Sequence, residues 1–317
     1  VKGKSGFSRE LPTLALVLIA LAALTAFVPA FHGSGNLTGV ACGAAYIGIM
    51  ACGEGMVILG GGLDLSVGSV LALSSCFAAM AMAAGLPWPI AIVVALAIGA
   101  AAGVINGALI TYGKLPPILT TLATLLIFRH GTSVLTHAHT YRPFPPTFDL
   151  MGTGWNPAIL FLGVVIVASV VMLLTRFGRR LLAIGGSEQS ALLSGVPVAR
   201  VKLGAYVASG GTAAIAGLIL MAFNNNTQST IGFGYELDAI AACVVGGIRM
   251  TGGDGSIIGA ALGAVLMALL RNWLQLTGKP EEMYGLYTGA IILVAAVLEQ
   301  WRLRSLDRAA LTAGGAK

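Results

Sequence analysis

The chain has 317 residues, 57% hydrophobic and only 9% charged, with a mean hydropathy of +0.90 and a formal net charge of +6. A soluble domain carries about a quarter charged residues to keep its surface wet. This composition therefore excludes an ordinary soluble enzyme and requires lipid to cover much of the surface. The basic balance does not indicate nucleic acid, because the cations fall in short loops between apolar runs rather than on one soluble face. The 44 glycines follow no G-X-Y period. They suit a membrane bundle, where small residues let helix backbones approach. Cys42, Cys52, Cys76 and Cys243 all lie in apolar stretches without C-x-x-C or Cys/His spacing, so neither a disulfide framework nor a metal site is indicated.

The first apolar run, 11–31, follows Lys2, Lys4 and Arg9. A signal peptide is one reading. The run is longer than a typical signal core and has no clear small-x-small site after it, so a retained membrane helix is expected. Further runs of spanning length or near it follow at 38–60, 66–85, 88–112, 116–136, 157–176, 203–223, 236–248, 255–277 and 284–301. The expectation is an all-α membrane protein of about ten transmembrane helices. It forms a single domain over 1–317, with a cytoplasmic segment at 1–10, a cytoplasmic loop at 177–202 and a cytoplasmic tail at 302–317. With both termini inside, every Lys and Arg except Arg129, Arg142, Arg271 and Lys279 falls in an inner segment. That bias fits the positive-inside rule.

Within the second run, Glu54 is an ionisable residue at span depth, where such groups are rare and functional by default. It reads either as a path, proton or pairing residue, or as a protonated acid bonded to a nearby carbonyl. The run ends in a glycine-rich break containing Gly61, Gly62, Asp64, Ser66 and Gly68. Irregular backbone at membrane depth survives only when buried in protein or lining a water-filled cavity. Asp64 is expected to accept from exposed backbone N–H groups, with Asp64 or Ser66 capping the helix that follows. Asn106 in the fourth run reads as a bond to a neighbouring helix before it reads as a ligand contact.

Two connections exceed hairpin length. The outer one, 137–156, carries Pro143, Pro145 and Pro146. The inner one runs from Arg176 to Lys202 and is basic at both ends. Its middle, 183–195, is expected to form a short helix with Ser187 as N-cap. Such a helix has no lipid to face, so a protein partner is its natural docking surface. Beyond the seventh run, residues 224–230 carry amides and hydroxyls that suit sugar hydroxyls, although such a run is also an ordinary polar loop. Glu236 and Asp238 then open the eighth run, where carboxylates favour a helix start. Ile98–Gly103 resembles Ile258–Gly263, a weak internal similarity. The chain shows no H-E-x-x-H, no G-x-S-x-G and no visible ATP site, so energy from ATP would have to come from another subunit.

These motifs, taken in order, resemble the permeases of the ribose, xylose and arabinose class of ABC importers. The resemblance is carried by Gly61–Ser69, Gly103–Gly107, Thr121–Thr124 with Arg129, Ala183–Val201, Gly234–Ala242, and Gly246-Gly247 with Gly252-Gly253-x-Gly255. It implies a ten-helix importer bundle like that of the cobalamin importer. The partners implied are a second permease copy or paralogue, a periplasmic sugar-binding protein, and an ATP-binding subunit that holds ATP and Mg. No cofactor is expected on this chain itself. The substrate path is assigned to Glu54, Asn106, Thr121, Asn224, Asn225 and Gln228. The ATPase coupling segment implied by the resemblance comprises Gly185, Gly186, Ser187, Glu188, Ser194 and Gly195. An ion-driven secondary transporter, with Glu54 and Asp64 as coupling sites, and a non-transporting membrane scaffold are the competing readings.

Overall fold

The computed structural model describes residues 7–280 and 282–294, together with 297 and 301. Lys2, Lys4 and the tail at 302–317 lie outside the described residues. The helices in chain order are α1 (Phe7–Phe27), α2 (Ser34–Leu59), α3 (Val67–Ala83), α4 (Trp88–Thr111), α5 (Pro117–Leu135), α6 (Pro146–Asp149), α7 (Asn156–Leu174), α8 (Arg176–Gly186), α9 (Glu188–Leu193), α10 (Val198–Asn224), α11 (Tyr235–Val245) and α12 (Ile257–Leu276). A further apolar helix, α13, covers Glu282–Val294. Among the described residues the only β pairing is an isolated bridge between Tyr141 and Thr227.

Seven of these helices are long and apolar enough to cross a membrane: α1, α2, α4, α5, α7, α10 and α12. The other three apolar runs of the sequence give shorter helices, and the break and the glycines explain two of them. α3 has 17 residues because the chain before it folds back into the bundle instead of continuing as helix. This is seen where Asp64 N donates to Glu54 Oε1 at 3.1 Å, reaching more than a turn back along α2. α11 has 11 residues. At 1.5 Å per residue it is about 17 Å long, roughly half of a bilayer core. Gly246 and Gly247 stop it, and Gly247 takes a left-handed φ of 84°.

α2 is the axis of the bundle. It packs against α7, α10, α11 and α12 and is buried along almost its whole length. A helix whose small and apolar residues run all round, as here, has no face to give to solvent. α1 and α7 are peripheral and present most of their surface outward.

The α4–α10 contact is the most extensive among the described residues, and glycine makes it close. A Cβ at Gly103 would lie 2.3 Å from the Tyr206 carbonyl oxygen, and one at Gly210 would lie 2.0 Å from the Gly99 carbonyl oxygen. Both obstacles are backbone, so neither can swing aside. With no hydrophobic force between helices in lipid, this close van der Waals approach is what joins them. Gly210→Ala is expected to cost about 1–3 kcal/mol through overpacking, read as a lower unfolding temperature of the detergent-purified chain. An unchanged temperature would refute the contact. The similar run Ile258–Gly263 does the same job on α12, where Gly259 and Gly263 meet the carbonyls of Gly246 and Ala242.

The basic end of the bundle holds the α2–α3 break, the α4–α5 turn with Lys114, the α7–α10 connection with Arg176, Arg179, Arg180, Arg200 and Lys202, and the loop from Arg249 to Ser256. At the far end, residues 137–156 fold over α3, α4 and α10. Phe144 and Phe148 pack there with Ala91, Ala95, Leu218 and Met221.

Candidate functional site

The break after α2 carries the most concentrated buried polar chemistry among the described residues. Gly61 turns the chain with φ 76°. Asp64 and Ser66 then sit at full burial beside Glu54, Asn106 and Ser209. Asp64 Oδ1 accepts from Ser66 N at 3.0 Å and from Ser66 Oγ at 2.6 Å. Asp64 Oδ2 accepts from Ser209 Oγ at 2.9 Å. Asn106 Nδ2 donates to Ser66 Oγ at 2.7 Å. Asp64 therefore ties the start of α3 to α10 through its carboxyl and to α2 through its backbone N–H, while Ser66 brings in α4. Ser66 stands at the N-cap position of α3 without accepting from any helix N–H, because its hydroxyl is given to Asp64. The Leu63 carbonyl accepts from Thr121 Oγ1 at 3.3 Å and Tyr206 OH at 3.4 Å, which adds α5 to the cluster. Glu54 Oε2 and Asn106 Oδ1 are buried without a hydrogen-bond partner. None of the ion pairs among the described residues reaches Glu54 or Asp64.

Gly62 and Gly68 keep this cluster close. A Cβ on Gly62 would meet Tyr206 Oη at 2.6 Å, and one on Gly68 would meet Glu236 Oε2 at 2.1 Å and the Gly232 carbonyl oxygen at 2.7 Å. Glu236 thus lies against the start of α3. Asp238 is paired: its Oδ2 accepts from Arg271 Nη2 at 3.1 Å. Asp238 is thus spent on Arg271 rather than on the start of α11, whose N-cap is Gly234 with no side chain to offer, while the Glu236 carboxyl stays with the backbone N–H groups of that first turn. Arg271 also donates to Tyr46 and Tyr235, which stack on each other with centroids 5.2 Å apart.

Arg129, a residue of the Thr121–Arg129 motif, latches the loop before α11. Its guanidinium donates to the carbonyls of Ser229, Ile231 and Gly232 at 3.0, 2.6 and 3.3 Å. The polar run 224–230 bonds partly to the loop opposite, partly to α3 and partly within itself. Asn225 Oδ1 accepts from Phe144 N at 2.9 Å, Gln228 Oε1 accepts from Thr140 Oγ1 at 3.1 Å, and Thr227 Oγ1 bonds Ser75 Oγ at 3.0 Å. The Asn224 carbonyl accepts from Asn226 Nδ2. Asn224, Asn225 and Gln228 therefore sit at the far end, apart from the Glu54–Asn106–Thr121 cluster.

At the basic end, Thr175 Oγ1 accepts from Phe177 N and Gly178 N and so starts α8. Gly178, Leu181 and Ile184 form its buried stripe, and the arginines face out. Ser187 Oγ accepts from Ser190 N at 3.3 Å and starts α9. Gly195, at φ 76°, turns the chain away past Ser194. Glu188 pairs with Lys202. Gly186 packs against Gly253, and Gly185 lies so close to the end of α2 that a Cβ would be 1.9 Å from the Leu59 carbonyl oxygen. Gly253 N donates to that same oxygen at 3.0 Å, and Gly252 packs on Gly61. The α2–α3 break, the end of α8 and the 247–255 loop thus meet through close contacts of glycine backbone with itself and with the Leu59 carbonyl. Arg249 pairs with Asp254 at 2.8 Å and closes that loop.

Sequence reasoning did not find Ser209 or Tyr206 as members of the buried cluster, nor Asp238 and Arg271 as a pair. The local signal for the first was Ser209-Gly210-Gly211, and for the last a charged Arg271-Asn272 inside an apolar run.

The family model described as "Branched-chain amino acid transport system / permease component" matches residues 36–296. The chain is 38% identical over 279 residues to the ribose import permease protein RbsC of Bacillus subtilis, covering 86% of this chain and 87% of that protein. It is 35% identical over 311 residues to the ribose import permease protein RbsC of Escherichia coli K12, covering 94% and 97%. It is 33% identical over 300 residues to the autoinducer 2 import system permease protein LsrD of Escherichia coli O9:H4, covering 91% of each. No solved structure matches the chain significantly.

Proposed function

The chain belongs to this family of transport permease components, is a multi-pass membrane transport subunit of a bacterial ABC importer and not an enzyme, and on that premise we propose a fuller reading of how it works. The cargo is a monosaccharide or a related sugar-like molecule, as the names of the relatives suggest. The chain spans the membrane ten times, with α3, α11 and α13 as its shorter members and the basic end in the cytoplasm. It works with a periplasmic binding protein, a second permease copy or paralogue, and an ATP-binding subunit on which ATP and Mg are held.

The observation that carries this reading is the α8–α9 connection. Its tip exposes Leu192 and Leu193 at 62% and 82% of their surface, while its base is keyed through Gly185 into the end of α2. Exposed leucines on a capped helix with no lipid to face call for a protein partner. A push on α9 passes through backbone contacts to the α2–α3 break, where Asp64 and Ser66 together join four helices. The far end, covered by residues 137–156 and latched by Arg129, is the side for the binding protein. The path residues remain Glu54, Asn106, Thr121, Asn224, Asn225 and Gln228, spread from the break to that mouth. The secondary-transporter reading is set aside, since the chain falls among ABC permeases.

Leu193→Glu tests the assignment. It is expected to weaken recovery of the ATPase subunit on the tagged permease about tenfold, with membrane insertion and unfolding temperature unchanged. Undiminished ATPase recovery would remove α9 from the docking surface. Transport itself is read in proteoliposomes with ATPase and loaded binding protein. Uptake by the chain alone, driven by an ion gradient, would overturn the importer reading.

A further inference from the structure

α1 and α7 stand apart at the basic end. Between them is a cavity of about 520 Å³, floored by Leu59 of α2 and by Ile257 and Leu262 of α12. Its volume lies within the range of small-molecule sites, ~300–1,000 Å³. The walls are apolar, with Leu11 and Leu14 on one side and Met172 and Leu173 on the other. The two walls belong to the helices that present most of their surface outward, so the cavity faces the bilayer laterally.

Three polar residues in the lining, Glu10, Ser169 and Ser256, break this apolar surface. Glu10 Oε1 accepts from Ser256 Oγ at 2.7 Å, but Glu10 Oε2 is buried with no partner. Ser169 Oγ is likewise buried with no partner. A carboxylate oxygen left without a donor in an apolar cavity is costly and calls for a hydrogen-bond donor from an occupant. Next in the chain to the lining residues Met172, Leu173 and Leu182, the exposed Arg176 and Arg179 open α8, and Arg179 Nη1 donates to the Leu174 carbonyl at 3.4 Å. The site therefore pairs an acceptor inside with apolar walls facing lipid, and exposed cations follow on the adjoining helix α8.

We propose that this cavity binds one aminophospholipid of the cytoplasmic leaflet. Its ammonium meets Glu10, its phosphate lies toward Arg176 and Arg179, and an acyl chain fills the space between α1 and α7. An ammonium supplies the donor Glu10 lacks, and a phosphate complements the arginines. The cytoplasmic placement rests on the orientation proposed above. The site itself does not, because lipid retention can be read without transport and without a sided membrane.

The test uses the full-length chain, reconstituted into vesicles of equal parts phosphatidylethanolamine and phosphatidylglycerol, re-extracted in mild detergent and weighed by native mass spectrometry. The expected result is one retained phospholipid per chain, with phosphatidylethanolamine favoured about tenfold. Glu10→Gln is expected to abolish that preference. Ser169→Phe, which fills the cavity, is expected to lower occupancy about tenfold. Leu14→Phe fills it from the opposite wall and serves if Ser169→Phe fails to fold. A wild-type chain without retained lipid, or occupancy unchanged in the folded filling variant, overturns the site. A preference that survives Glu10→Gln overturns the ammonium assignment. Lipid retained by a chain that fails to import would separate this inference from the transport reading.

Discussion

Asp238→Ala is expected to destabilise the protein by about 3–5 kcal/mol, the cost of stranding one partner of a buried ion pair. Asp238 is 3% exposed, and its partner Arg271 sits within a cage of Tyr46, Tyr235 and Tyr284. The guanidinium carbon lies 4.2 Å from the Tyr284 ring centroid and 4.9 Å from that of Tyr235. These rings hold the cation over their faces but cannot neutralise it, so its charge depends on Asp238. Removing both charges leaves no stranded ion. Asp238→Ala with Arg271→Met is accordingly expected to regain about half of the loss. The check is a double-mutant cycle on unfolding in mixed micelles. Strict additivity of the two single losses would mean that the pair does not couple α11 to α12.

This pair marks where sequence reasoning stops. The apolar runs locate the spans because hydropathy over about 20 residues is a local property. The break is legible for the same reason: Gly60-Gly61-Gly62 followed by Asp64 cannot continue a helix through lipid. Ser187 as N-cap, and the short α11 ended by Gly246 and Gly247, also follow from adjacent residues. Asp238 and Arg271 are 33 positions apart, and Asp64 and Ser209 are 145 apart. No helical periodicity links such positions. Their pairing is set by which helices approach, and that is decided by glycine stripes such as Gly99, Gly103 and Gly210. Two carboxylates in the first turn of α11 read locally as dipole partners. The fold assigns one to an arginine on α12 and places the other against Gly68. The amides after α10 read locally as sugar contacts or as an ordinary polar loop, and in the fold the side-chain oxygens of Asn225 and Gln228 accept from Phe144 N and Thr140 Oγ1.

Asp64→Ala is expected to be as damaging as Asp238→Ala, by a different route. It removes no ion pair. It strands Ser66 N, Ser66 Oγ and Ser209 Oγ, three donors in a region sealed from solvent. At about 1–3 kcal/mol for each unsatisfied buried group, a loss of about 3 kcal/mol or more follows. Asp64→Asn separates hydrogen bonding from charge. Its Oδ1 can keep both bonds from Ser66, and its amide can donate to Ser209 Oγ once that hydroxyl turns to accept. Asn is thus expected to fold with a loss of about 1 kcal/mol or less. Unfolding temperatures of the two variants check the structural half of the argument, and equal damage from Ala and Asn would sink it. The functional half is read on Asp64→Asn, which leaves the glycine junction of Leu59, Gly185 and Gly253 untouched. If the carboxyl acts only as a tie between helices, Asp64→Asn retains uptake and ATPase stimulation together. If its proton or charge takes part in movement at the break, uptake falls while ATPase recovery and unfolding temperature hold. The wild-type geometry favours the tie, since both carboxylate oxygens of Asp64 already accept from serines.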